Sequence, residues 1–140
     1  MITIKDIMVK KVITVERDYT LGIIEKIMAK KNIGHVFVVA ENKLTGIVSD
    51  GDIKRRKSFR AGTDIANFRE ENTLKIKAHQ IMTRELITLN PDSPIVDAVD
   101  LILHNDIHII PIVESGHKLV GIVSTSDLLR LLKGVIRHKK

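Results

Sequence analysis

The strongest constraint on this chain is a segment that occurs twice. Gly46-Ile47-Val48-Ser49-Asp50-Gly51-Asp52-Ile53 returns as Gly121-Ile122-Val123-Ser124-Thr125-Ser126-Asp127-Leu128. Each copy reads glycine, a β-branched apolar pair, Ser-x-x-Asp and one apolar residue. That order predicts a strand running straight into a helix start. Ser-x-x-Asp there also spells a capping box, in which serine accepts from an orphan helix N–H and the acid at N3 reaches back. Aspartate is a shorter partner than glutamate or glutamine in that role. One copy alone asks for nothing beyond a helix start. Two copies inside a longer doubled pattern ask for more.

The longer pattern runs through both halves. Thr3-x-x-Asp6 starts a short helical turn through Met8. Val12 to Val15 predicts a strand, and Asp18 precedes a helix over Tyr19–Lys31 with Leu21, Ile24, Ile27 and Met28 at helical spacing. Asn32 ends it. His35–Val39 is a buried strand, Glu41-Asn42-Lys43 a turn, and Thr45–Ser49 the next strand. A helix follows from Asp50 to about Arg60. In the second half Ile81-Met82 matches Ile7-Met8, Ile87-Thr88 matches Ile13-Thr14, Asp92 matches Asp18, and Val113 matches Val39. After one inserted residue at Ser115-Gly116, Gly121–Ser124 repeats Gly46–Ser49 unchanged, and Arg130 falls where Arg55 does. A second long helix is expected over Pro94–His104, with the proline in its first turn. The unit is strand, helix, strand, strand, helix, twice. The divisions expected are a first repeat over residues 1–60, a polar linker over 61–77 and a second repeat over 78–140. Arg137-His138-Lys139-Lys140 reads as a frayed, solvated end.

Composition narrows the classes. The chain has 140 residues, 44% hydrophobic and 29% charged, as in an ordinary soluble domain. With no cysteine there is neither disulfide nor thiolate metal site. No apolar run has the length of a membrane span and the first residues lack the form of a signal peptide, so a cytoplasmic protein is expected. A net charge of +6 favours anionic partners. With 3% aromatic residues the chain is poor in the stacking platforms that single-stranded nucleic acid needs.

With the repeat in view, the chain resembles a tandem pair of CBS domains, the cystathionine β-synthase type regulatory module. The resemblance rests on Asp6-Ile7-Met8 with Val12-Ile13-Thr14-Val15, and on Gln80-Ile81-Met82-Thr83 with Leu86-Ile87-Thr88-Leu89. The strand Ile109-Ile110-Pro111-Ile112-Val113 and the two Gly-Ile-Val-Ser-x-x-Asp segments complete it. The resemblance implies an α/β (α+β) fold of two tandem β-α-β-β-α repeats packed with pseudo-twofold symmetry. It implies two clefts that bind adenosine compounds: AMP, ADP, ATP or S-adenosylmethionine, with no metal required. One site would combine Ile47, Ser49, Asp52 and Arg55 with Met82, Ile87, His108, Ile109 and Pro111. The other would combine Ile122, Ser124, Asp127 and Arg130 with Met8, Ile13, Gly34, His35 and Val36. Repeat one departs from the family by carrying Phe37 where proline is frequent, and by the basic run Lys54-Arg55-Arg56-Lys57. The two sites are therefore expected to differ.

The residue types suit such a ligand. A carboxylate accepts both vicinal hydroxyls of a ribose. Helix N–H groups near Asp52 and Asp127 favour phosphate, and Arg55 and Arg130 lie three residues on, along the same face, to offset the acid. Ile47, Ile87 and Ile109 are isoleucines that serve equally as core or as an adenine slot. His104 and His108 are separated by a helix end and do not form a helical metal pair. His79, His117 and His138 lie in polar segments.

No nucleophile paired to a base, metal set or glycine-rich phosphate loop is evident, so a non-catalytic regulatory module is expected. Two alternatives stand beside it. One is a basic surface, Lys54–Lys57 with Arg60 and the tail, that binds nucleic acid through charge and without sequence preference. The other is a passive dimerisation module. Residues 95–103 and 128–136 are too apolar for water, so a homodimer is expected in either case. A regulated protein partner would be a further, unidentified one.

Overall fold

The computed structural model describes residues 2–57 and 72–138. Arg60, most of the expected linker and Lys139-Lys140 lie outside the described residues. The chain divides into two compact units, Ile13–Leu86 and a second made of Met1–Val12 with Ile87–Lys140. The first twelve residues thus belong with the second half of the sequence.

The unit Ile13–Leu86 holds β1 (Thr14–Glu16), α2 (Leu21–Lys31), β2 (His35–Ala40), β3 (Lys43–Ser49), α3 (Asp50–Lys57) and a short α4 (Ala78–Ile81). β1 runs parallel to β2, and β2 antiparallel to β3, with a register shift at Val38/Val39. The β2–β3 turn is tight because Glu41 and Asn42 both take positive φ, as a two-residue hairpin requires. α2 starts later than Asp18 suggested. Its cap is Thr20, whose side chain accepts from the Ile23 N–H at 3.3 Å. Asn32 ends the helix in the left-handed conformation. Leu21, Ile24 and Met28 pack with Val15, Val36, Val38, Val48, Ile53 and Met82 to form the core.

The other unit holds α1 (Ile4–Ile7), α5 (Ile95–Asn105), β4 (Ile109–Glu114), β5 (Lys118–Ser124) and α6 (Thr125–His138). Thr3-x-x-Asp6 does start α1: the Asp6 carboxylate accepts from the Thr3 N–H at 2.8 Å. Pro94 is the N-cap of α5 rather than its first residue. α6 runs on through Arg137-His138, so that half of the expected frayed end is helical. Ile4, Ala98, Ile110, Ile112 and Val123 form the core. β4 pairs antiparallel with β5 and repeats the register shift, at Ile112/Val113. The one inserted residue makes the turn Ser115–His117, with positive φ at Gly116 and His117.

The halves differ at their first strand. Thr14–Glu16 forms β1, but its counterpart is reduced to a single parallel bridge, Leu89 to Ile112. Proline explains the loss. In the first half the Phe37 N–H points to the Ile13 carbonyl at 3.5 Å. The matching residues are Pro111 and Ile87, and proline has no N–H to give. No helix among the described residues is long and apolar enough to cross a membrane.

Candidate functional site

Each doubled motif builds the same small constellation. The Ser49 N–H donates to Asp52 Oδ2 at 2.9 Å, and the Asp52 N–H donates to Ser49 Oγ at 3.1 Å. In the other unit the Ser124 N–H donates to Asp127 Oδ2 at 2.8 Å, and the Asp127 N–H to Ser124 Oγ at 3.3 Å. Both are reciprocal capping boxes at the starts of α3 and α6. The cap occupies one carboxylate oxygen, Oδ2, and leaves the other, Oδ1, outside the cap. Arg55 holds Oδ1 of Asp52, and Arg130 Nη1 holds Oδ1 of Asp127 at 2.9 Å.

Glycine fixes where the motif sits. A Cβ on Gly46 would lie 2.6 Å from Met82 Sδ and 2.9 Å from the Thr83 carbonyl. A Cβ on Gly121 would lie 2.8 Å from Met8 Sδ and 3.1 Å from the Val9 carbonyl. Each methionine, through Sδ and Cγ, fills the space a Cβ would take at the glycine three residues before the serine. Antiparallel bridges, Ile47 to Thr83 and Val9 to Ile122, hold the segments in place. Sequence reading missed this close approach. Its signal was present: both glycines and both Ile-Met pairs recur at matched places.

The expected site residues divide between the units. Ser49, Asp52, Arg55, Ile47 and Met82 share one unit with Ile13, Gly34, His35 and Val36. His35 pairs across the strands with Ser49, and the Gly34 carbonyl accepts from the Asp50 N–H at 2.7 Å. Ser124, Asp127, Arg130, Ile122 and Met8 share the other with Ile87, His108, Ile109 and Pro111. The His108 carbonyl accepts from the Thr125 N–H at 2.9 Å, and Ile109 pairs with Ser124. Val36 and Pro111 are buried, Val36 within the core; His108 is exposed. His104 Nδ1 lies 2.7 Å from the Asp100 carbonyl oxygen, a contact within its own helix. Among the described residues no cluster of acidic and histidine side chains gathers to hold a metal ion.

The cations around Asp52 are partly committed. Lys54 Nζ pairs with Asp50 at 3.0 Å and Lys57 Nζ with Glu25 at 3.0 Å. The equivalent positions on α6 are leucines, Leu129 and Leu132.

His35 is half-buried, edge-on to the Phe37 ring at 5.7 Å between centroids. Burial strips water from the imidazolium and pushes its pKa below the usual histidine value. The unfolded chain then binds the proton more readily. Stability from this group is complete above the ordinary histidine pKa and falls as pH drops toward the folded value. Urea midpoints at pH 7.5 and 5.5 should therefore fall more in the parent than in His35→Gln. Equal falls would show that His35 contributes nothing to the pH dependence.

Comparison with known proteins agrees with the geometry. The CBS domain model matches residues 4–58 and 78–134. The chain is 32% identical over 128 residues to the CBS domain-containing protein YhcV of Bacillus subtilis, covering 91% of this chain and 84% of that protein. It is 30% identical over 131 residues to a homoserine O-acetyltransferase of Methanococcoides burtonii. There it covers 93% of this chain but only 24% of the relative, so the chain spans about a quarter of that longer protein. Among solved structures, the CBS domain pair of protein MJ0100, in complex with 5′-methylthioadenosine and S-adenosyl-L-methionine, is 31% identical with a TM-score of 0.74. That match covers 96% of this chain and 98% of the other. With the motif, its capping geometry and its glycine seat present in both copies, the chain belongs to the CBS domain family and carries two CBS repeats.

Proposed function

We propose that this chain is a non-catalytic regulatory module that binds an adenosine nucleotide through its two Ser-x-x-Asp sites. The observation that carries this is the repeated constellation: a carboxylate with Oδ2 in the helix cap and Oδ1 held by an arginine three residues on. Asp52 and Asp127 take the ribose hydroxyls, and Arg55 and Arg130 the phosphate. The relative of known structure bound to two adenosine compounds supports the ligand class. Ile47, Ile87, Ile109, Ile122, Met8 and Met82 offer apolar surface to adenine, with Ile13, Gly34, His35 and Val36 in the unit of Asp52, and His108 and Pro111 in the unit of Asp127.

Calorimetric titration of AMP, ADP, ATP and S-adenosylmethionine tests this, with GTP as control. At least one adenosine compound should bind and GTP should not. A ligand at a hundred times its Kd should stabilise the fold by about 2.7 kcal/mol, seen as a raised Tm. No heat and no Tm shift with any of the four would end this reading.

The module acts as a homodimer. The helix pair α5 and α6 exposes Val96, Leu103, Leu129, Leu132, Val135 and Ile136. Between the helices lies a groove of about 460 Å³ lined by Thr125 and otherwise by aliphatic side chains, among them Ile95, Val99, Ile102 and Leu128. An apolar face of this size on a folded chain calls for a partner, and a second copy supplies the same face by a twofold axis. The other helix pair, α2 and α3, exposes Lys26, Lys30, Lys31 and Arg56 beside the acid-paired Lys54 and Arg55, so a second copy placed there would meet like charge. Dimerisation therefore uses α5 and α6.

A further inference from the structure

We infer that Arg55 and Arg130 are latches on the two carboxylates, released when a nucleotide binds and then used on its phosphate. The inference rests on the nucleotide-binding reading above. In each site the two carboxylate oxygens have separate duties. Oδ2 belongs to the helix cap, and in Asp127 it accepts both the Ser124 N–H at 2.8 Å and the Ser124 hydroxyl at 3.0 Å. Two donors fill the lone pairs of that oxygen. At Asp127 a ribose diol must therefore come to Oδ1, where the guanidinium already sits. At Asp52 the cap places one donor, the Ser49 N–H, on Oδ2, and the guanidinium again sits on Oδ1, so a diol that spans both oxygens meets the arginine there too.

An acid and an arginine three residues apart on a helix are often no more than surface support. Two features set this pair apart. It forms in both copies, whereas the neighbouring Asp50–Lys54 pair has no counterpart, since Thr125 stands where Asp50 does. It also joins a sheltered acid to an open base. The Asp52 and Asp127 side chains are 22% and 10% exposed, while both arginines are 73% exposed. The guanidinium swings into water easily; the carboxylate stays with the cap.

The consequence is selection for phosphate. A nucleoside must break the ion pair and gives the arginine nothing in return. A nucleotide breaks the same pair and offers the freed guanidinium a phosphate, with charge-assisted hydrogen bonds. The arginine thus opposes the uncharged ligand and assists the charged one.

The test titrates adenosine and AMP into the parent and into the double variant Arg55→Met with Arg130→Met. Adenosine should bind the variant about two- to fivefold more tightly, the worth of an exposed ion pair. AMP should bind about tenfold more weakly. A ligand test without substitution runs alongside. Raising salt screens the latch, so adenosine should bind the parent more tightly while AMP binds less tightly. If both ligands weaken together in the variant, the arginines only position the acids and the latch is wrong. If AMP weakens while adenosine is unchanged in variant and salt series, the arginines are phosphate ligands alone and the latch is again wrong. A parent that binds neither AMP nor adenosine overturns the latch; the nucleotide reading itself falls only if ADP, ATP and S-adenosylmethionine fail to bind as well.

Discussion

Gly46→Ala and Gly121→Ala are each expected to destabilise the fold by about 1–3 kcal/mol, the usual cost of forcing a group into a packed site. The added methyl would meet Met82 or Met8 sulfur and, behind it, a backbone carbonyl. The sulfur can move; the carbonyl is tied by the bridges of Ile47 with Thr83 and Val9 with Ile122. Gly134→Ala is the control. Nothing lies within 4 Å of a Cβ there, and the residue is inside α6, so it should stabilise by about 0.5–1 kcal/mol. Urea unfolding of the three variants separates these cases. Parent-like midpoints for both Gly46→Ala and Gly121→Ala would mean that the methionine segments are not closely seated.

The second large effect concerns assembly. Leu129 and Leu132 are 58% and 52% exposed on α6 and flank the apolar groove. Leu129→Glu with Leu132→Glu would place unpaired carboxylates in a dimer interface, at a cost of several kcal/mol and about a hundredfold or more in dissociation constant. Light scattering should give twice 15.8 kDa for the parent and 15.8 kDa for the variant. Lys30→Glu with Lys31→Glu, on α2, should leave the parent mass unchanged. A parent of single-chain mass, or a dimer lost only with the α2 substitutions, would refute the α5–α6 interface.

Much of this was legible because the sequence states it twice. The strand-to-helix joints at Ser49 and Ser124, the turn at Glu41-Asn42 and the inserted residue at Ser115-Gly116 all follow from local chemistry and appear where expected. The helix starts slipped by a residue or two. Asp18 carries a cap-like signal, but Thr20 has the hydroxyl placed to reach the N–H three residues on; Pro94, expected inside the first turn, stands one place before it as the cap. The loss of a full strand at Ile87–Leu89 was hidden in a single residue, Pro111. Its effect is felt in a neighbouring strand rather than in its own. The seating of Met8 on Gly121 and of Met82 on Gly46 is a tertiary contact, and periodicity carries no information about it.

The Asp52 and Asp127 carboxylates show the capping reading of Ser-x-x-Asp and leave the binding reading to experiment. The cap uses Oδ2, which local sequence predicts; Oδ1, outside the cap and held by an exposed arginine, is the oxygen on which the proposed binding role depends. The basic run beside Asp52 is less available than its charge suggests, since Lys54 is paired with Asp50 and Arg55 with Asp52. It still exceeds the leucines beside Asp127, so the account places the stronger polyphosphate site at Asp52.

The most direct test titrates ATP and AMP into the parent, Asp52→Ala and Asp127→Ala. Each substitution removes a ribose acceptor and part of a helix cap, so circular dichroism must first show a parent-like fold. The account predicts that Asp52→Ala weakens the tighter ATP event about ten- to hundredfold, while Asp127→Ala spares it. If both variants bind ATP and AMP as the parent does, Ser-x-x-Asp is only a helix cap here, and the nucleotide-binding account is contradicted.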